Sequence, residues 1–132
     1  MNMKKGFTLI ELLAVIVILS IISLIATQMI LNVVEEAREK SAKSSALGYI
    51  DAVEKQVAVN ELDTSKTKII DKTYTVEELT DLGVTVKGEM PTKESSLTLE
   101  KGIVKTCSLT IGKYKITCVG NGEVKIEKET EQ

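Results

Sequence analysis

The sequence predicts an α+β protein: one long N-terminal α-helix, half apolar and half amphipathic, packed on a small C-terminal antiparallel β-meander. Three observations predict it. Residues 12–34 form a run of 23 without a charged side chain. Neither proline nor glycine interrupts residues 7–47. From Leu97 onward apolar residues recur at every second position between short glycine-containing turns, which is the period of a half-buried strand.

The apolar run comes first in the chain. A helix rises about 1.5 Å per residue, so this run reaches roughly 34 Å, enough to cross a hydrocarbon core of about 30 Å. Lys4 and Lys5 precede it, which predicts a cytoplasmic N-terminus and an outward-facing remainder. An ordinary secretory signal ends its apolar region at a small-residue cleavage site. Here the small residue, Gly6, stands before the run, and a cut after it would leave the apolar helix on the mature protein. Glu11 sits inside the segment. A carboxylate in a membrane span costs about 2.5–3.5 kcal/mol and is usually functional, with a tolerated acid near the cytoplasmic surface as the plain alternative. The functional reading needs a cation, because a buried charge persists only when paired. A cut between Gly6 and Phe7 would create one, the α-amino group of Phe7.

Beyond the span, Glu35, Glu36, Arg38, Glu39, Lys40 and Lys43 make a charged, helix-favouring stretch. Leu47, Ile50, Val53 and Val57 then recur at steps of three, three and four, one stripe of a helix. That stripe is expected to face a globular part, with Asp51, Lys55 and Asn60 toward water. The helix should stop near Asn60, before the polar run Asp63-Thr64-Ser65-Lys66. Thr75-Val76-Glu77-Glu78 reads as a capping box opening a short helix over residues 76–82, with Gly83 ending it. Ile69, Ile70 and Tyr74 fit short extended pieces.

The sheet is expected over about residues 96–127. Leu97 and Leu99 lie on the first strand, Lys101-Gly102 turns the chain, and Ile103–Ile111 is the second strand. Gly112-Lys113 suits a type II′ turn before Tyr114–Val119. Gly120-Asn121-Gly122 turns it again into a fourth strand at residues 124–126. With Ile111 opposite Tyr114, Cys107 falls opposite Cys118, in a hydrogen-bonded pair with Cα atoms about 5.5 Å apart. That spacing is within disulfide range. An oxidising exterior favours the disulfide; two buried thiols acting as small hydrophobes are the alternative.

At this point the motif is legible. Lys5-Gly6-Phe7-Thr8-Leu9-Ile10-Glu11-Leu12-Leu13 resembles the class III signal of type IV pilins and pseudopilins. The resemblance implies a prepilin peptidase that cleaves after Gly6 and N-methylates Phe7. It also implies that Glu11 of one subunit neutralises the Phe7 ammonium of the next during filament assembly, and that Lys4 and Lys5 set membrane orientation. The remainder resembles the short pilins of Gram-positive bacteria in length and layout. Gln28 departs from the pattern, since many type IV pilins carry a proline there that kinks the helix. The implied organisation is a cytoplasmic leader at 1–6, a transmembrane and filament-core helix at 7–31, an amphipathic half at 32–62 and a pilin-like head at 63–132.

Composition narrows the function classes. The 132 residues include 17 basic and 19 acidic side chains and no histidine, and aromatics make up 3%. This mild acidity gives no basic footprint for nucleic acid. Histidine-dependent metal sites and catalytic triads are excluded, and stacking platforms are not expected. No cofactor, metal or catalytic residue is implied. The leading expectation is a structural, non-enzymatic subunit of a cell-surface filament, a homo-oligomer served by prepilin peptidase and pilus assembly machinery and held in the membrane before assembly. The alternatives are a pseudopilin of a type II secretion or competence system and, less favoured, a single-pass anchored binding protein.

Overall fold

Residues Leu9–Leu62 form one helix, α1, of 54 residues, because nothing in the run breaks it before the polar segment at Asp63. The structure is a computed structural model and describes residues 2–120 and 122–129. The chain divides into two units, Met1–Ala37 and Arg38–Gln132, with α1 contributing to both.

In the first unit the helix stands without a core. Its large apolar side chains, including Leu12, Ile16, Leu19, Ile22 and Ile30, are exposed. By length and composition this helix can cross a membrane. Ser20 Oγ donates to the Ile16 carbonyl and Thr27 Oγ1 to the Ser23 carbonyl, each at 2.7 Å, so both hydroxyls are satisfied on the helix itself. Phe7 and Thr8 lie outside the helix, a shorter apolar helix than one beginning at residue 7. The reason is a cap at Thr8, described below.

The second unit is a five-stranded antiparallel sheet covered by the second half of α1. Its elements in chain order are β1 (Thr73–Thr75), α2 (Val76–Asp81), β2 (Ser96–Glu100), β3 (Ile103–Ile111), β4 (Tyr114–Val119) and β5 (Glu123–Lys128). The strand order is β1-β2-β3-β4-β5, a meander. The β3–β4 register follows the expected pairing, Ile111 with Tyr114 and Cys107 with Cys118. Gly112 has φ +58° and Lys113 a negative φ, as a type II′ turn requires. At the β2–β3 turn both Lys101 and Gly102 are left-handed, with φ 55° and 74°. The Asp71 carboxylate accepts from both their amides, at 2.8 and 3.2 Å. One residue is inserted in β3 opposite Thr98 and Leu99. Just beside this bulge Glu54 of α1 accepts from the Val104 amide at 3.1 Å. Asn121, in the last expected turn, lies outside the described residues.

The helix face turned to the sheet differs from the expected stripe. Ala42, Ala46, Tyr49, Val53, Val57 and Asn60 are the buried residues of α1, spaced four, three, four, four and three. Leu47 is 42% exposed and Ile50 only partly buried against the core, so the apolar stripe is rotated toward the alanines. Asn60 is the clearest reversal, buried at 1% exposure instead of facing water. Its Nδ2 donates to the carbonyls of Thr67 and Leu82, at 3.0 and 3.4 Å, and its Oδ1 accepts from Gln56 at 2.8 Å. A buried amide with its partners supplied is tolerated, and this one ties the helix end to the loop behind it and to the end of α2. Opposite the helix stand Leu97, Leu99, Leu109, Ile111 and Ile116, all buried. β1 is an addition at the sheet edge, pairing Tyr74 with Leu97; Ile69 and Ile70 are not in strands. Helix α2 starts at the expected capping box and has Leu82 as its C-cap.

Tyr49 contributes the largest fully buried side chain of the core, and its hydroxyl has no hydrogen-bond partner among the described residues. Leaving a buried hydroxyl unpaired costs about 1–3 kcal/mol. Tyr49→Phe is therefore expected to leave the head as stable as wild type or more so in urea unfolding at pH 7. Burial also pushes the Tyr49 phenol up from 10.0 to about 12. Its neutral form is the one the fold holds, so that contribution is intact below pH 10 and is lost as pH rises toward 12. The Phe variant should lack this alkaline loss. An unfolding midpoint with the same slope between pH 10 and 12 in both proteins would contradict the assignment.

Candidate processing and assembly site

Residues 2–8 are non-helical and exposed. Lys4 and Lys5 lie in this segment, a Cβ added at Gly6 would meet nothing within 4 Å, and the Phe7 ring is 94% exposed. The Gly6–Phe7 bond thus lies in exposed, non-helical chain immediately ahead of the helix. A protease needs that condition, since helical backbone does not fit an extended active-site cleft.

The helix begins where it does because of Thr8 and Glu11. The Glu11 amide donates to Thr8 Oγ1 at 3.3 Å, and the Thr8 amide donates to Glu11 Oε2 at 2.8 Å. Those two bonds are a capping box, with Thr8 as N-cap and Glu11 at the third helical position. The same T-x-x-E device opens α2, where Glu78 Oε2 accepts from the Thr75 amide at 2.9 Å and the Glu78 amide donates to Thr75 Oγ1 at 3.3 Å. Sequence reading identified the second box and passed over the first, treating Glu11 as a membrane acid alone. The signal was present: a threonine three positions before a glutamate at the head of an apolar run.

The structure brings Glu11 to Thr8, not to a cation. Among the described residues neither Lys4 nor Lys5 pairs with it. The cap fixes one carboxylate oxygen on the backbone and leaves Oε1 unengaged. A carboxylate accepts at both oxygens, so capping orients Glu11 without exhausting it.

In the head, Cys107 and Cys118 are joined by a disulfide, with Cα atoms 4.8 Å apart, closer than the 5.5 Å expected for a hydrogen-bonded pair. Cys107 is buried against the helix side of the sheet and Cys118 half-buried. Among the described residues no group of three or more histidine, cysteine, aspartate or glutamate side chains is placed to hold a metal.

Residues 1–27 match the family model described as the prokaryotic N-terminal methylation motif. No curated protein and no solved structure matches the chain. The matched segment ends inside the apolar half of α1 and takes in Gly6, Phe7, the cap and Glu11 together. The N-terminal stretch of this protein is the class III signal of type IV pilins and pseudopilins, carried on a pilin-like α+β fold.

Proposed function

We propose that this protein is a type IV pilin, a structural subunit of a cell-surface filament. The observation that carries the reading is the arrangement at the N-terminus: an open Gly6–Phe7 bond, then a capped apolar helix holding Glu11, within the matched methylation motif. On this reading the precursor is a single-pass membrane protein with Lys4 and Lys5 in the cytoplasm. Prepilin peptidase removes residues 1–6 and methylates Phe7, and the subunit then leaves the membrane for the filament.

Two forces divide the work of assembly. Lipid tails are as apolar as leucine, so moving the helix from bilayer to bundle gains little hydrophobic energy. Returning it to water would expose the whole apolar surface, at about 25 cal/mol per Å². Burial therefore holds the filament together without choosing a stagger. The stagger comes from Glu11, whose free oxygen accepts the Phe7 ammonium of a neighbouring subunit. No catalytic step by the chain itself enters this account.

Two measurements test it. Mass spectrometry of filaments sheared from cells should find this chain beginning at methylated Phe7. Gly6→Val is expected to block maturation by more than tenfold while leaving membrane insertion intact, because the lysines and apolar run are unchanged. A mutant protein whose N-terminal sequence still begins at Phe7 would remove Gly6 from the cleavage site. Sheared material free of the chain, with the mature protein retained in the envelope, would favour a pseudopilin of a secretion or competence system.

A further inference from the structure

Gln28 is the residue of the apolar helix that the account so far leaves without a role. It lies five residues beyond the middle of the uncharged run, about 7.5 Å along the axis, well within a hydrocarbon half-thickness of about 15 Å. Two of the three hydroxyls at this depth, those of Ser20 and Thr27, satisfy themselves on the carbonyl one turn back at 2.7 Å. The longer Gln28 amide carries two donors and an acceptor, and among the described residues it has no hydrogen-bond partner. Asn32, one turn further on the same face and also unpartnered, sits about 13 Å beyond the middle, where headgroup water can serve it. Gln28 alone bears the cost of an unpaired amide in hydrocarbon.

We infer that Gln28 pairs α1 with a second copy of this chain in the membrane, before any filament forms. A primary amide is self-complementary, donating and accepting at once, so an identical residue is a partner for both its functions. Copies inserted in the same sense place their Gln28 side chains at the same depth, which brings the two amides face to face in a parallel pair of helices. Glutamine is among the residues that join helices across a bilayer. Apart from Asn32, the nearest competing polar group that is not already engaged is the Ser23 hydroxyl, five residues away, which lacks the paired donor and acceptor of an amide, and Ile21, Ile22, Leu24, Ile25, Met29 and Leu31 around the two residues are apolar. The proposal rests on the membrane-spanning part of the pilin reading and adds a stored dimer to it.

The test uses the purified full-length protein, labelled at its N-terminal amine with donor or acceptor dye and reconstituted in phosphatidylcholine vesicles. Energy transfer is followed as protein density falls. Wild type should associate, and Gln28→Leu should need about three- to thirty-fold higher density to do so, equivalent to about 0.6–2 kcal/mol. Gln28→Asn should retain most of the association, because the amide survives one methylene shorter. Ser20→Ala should match wild type, its hydroxyl being spent on its own helix. Circular dichroism confirms that each variant keeps its helix. Gln28→Leu associating as tightly as wild type overturns the proposal, and so does wild type that stays monomeric at every density, with lipid then covering the residue. Failure here leaves the filament reading standing, because that reading is decided separately by the sheared material.

Discussion

Replacing Glu11 with alanine is expected to leave the protein expressed, inserted and cleaved, and to reduce homopolymer filaments at least tenfold. The structure gives Glu11 one duty, the cap with Thr8, the proposed function gives it a second, and the two differ in size. Losing an N-terminal cap costs about 0.5–2 kcal/mol, which frays one turn at the start of a 54-residue helix. On the proposed reading, losing the carboxylate from an apolar bundle would leave the Phe7 ammonium of a neighbouring subunit unpaired, and uncompensated buried charges cost about 3–5 kcal/mol. Methylation does not remove that charge. Two further variants separate the duties. Glutamine also serves at the third position of a capping box, so Glu11→Gln keeps the cap and loses the charge. Thr8→Val removes the capping hydroxyl and keeps the charge. If the ion pair governs assembly, Glu11→Gln should resemble Glu11→Ala and Thr8→Val should assemble nearly as wild type. Sheared filament counted against mature subunit left in the membrane reads the outcome. Wild-type yield from Glu11→Gln would reduce Glu11 to a cap, and the charge-register mechanism would have to be abandoned.

Val53→Asp is expected to unfold the head. Val53 is fully buried between Tyr49 and Val57 on the face that meets the sheet. The substitution places a carboxylate in the buried apolar core. A domain of this kind is stable by about 5–15 kcal/mol, and burying an unpaired polar group alone costs several kcal/mol before the lost packing is added. Leu47→Asp is the matched control. Because Leu47 is exposed, that change should cost less than about 1 kcal/mol, whereas the stripe read from sequence makes the two equivalent. Thermal unfolding of the full-length protein in detergent, followed in the sheet region by hydrogen exchange, distinguishes them. Equal loss of stability in both variants would restore the face drawn through Leu47.

The contrast between these two residues shows what the sequence carries. Strand registers are legible because the period is two and the turns are two residues long, so placing Gly112 and Lys113 fixes every pair up to Cys107 and Cys118. A helix face is weaker information. Leucine and isoleucine at 47 and 50 outweigh alanines at 42 and 46 on any hydropathy count, yet small residues are what let a helix lie close on a sheet, and Tyr49 fills the space between them. Asn60 is unreadable for a different reason: the carbonyls that make its burial affordable, those of Thr67 and Leu82, belong to other elements. β1 is three residues, Thr-Tyr-Thr, too short to show a period, and is defined only by what it pairs with. At the N-terminus the motif was plain, but two readings of Glu11 share the same letters, and only the bonds to Thr8 display the second.

The meander has a consequence for how the protein is made. Each strand of the sheet pairs with a neighbour in space, and from β2 through β5 consecutive strands are separated by only two or three residues. Contacts close in sequence need little loop entropy to form and give fast folding for a β-structure. Strands β2 to β5 can therefore pair in the order in which they are synthesised, each added to an edge already present, while β1 joins β2 across residues 76–95. With the helix made first, the sheet can assemble stepwise as the chain is synthesised, with no strand from β2 onward kept waiting for a late one. Unpaired edges are the usual seeds of aggregation among crowded nascent chains; those of β2, β3 and β4 are covered as the next strand arrives, and only β1 and β5 remain as edges of the finished sheet.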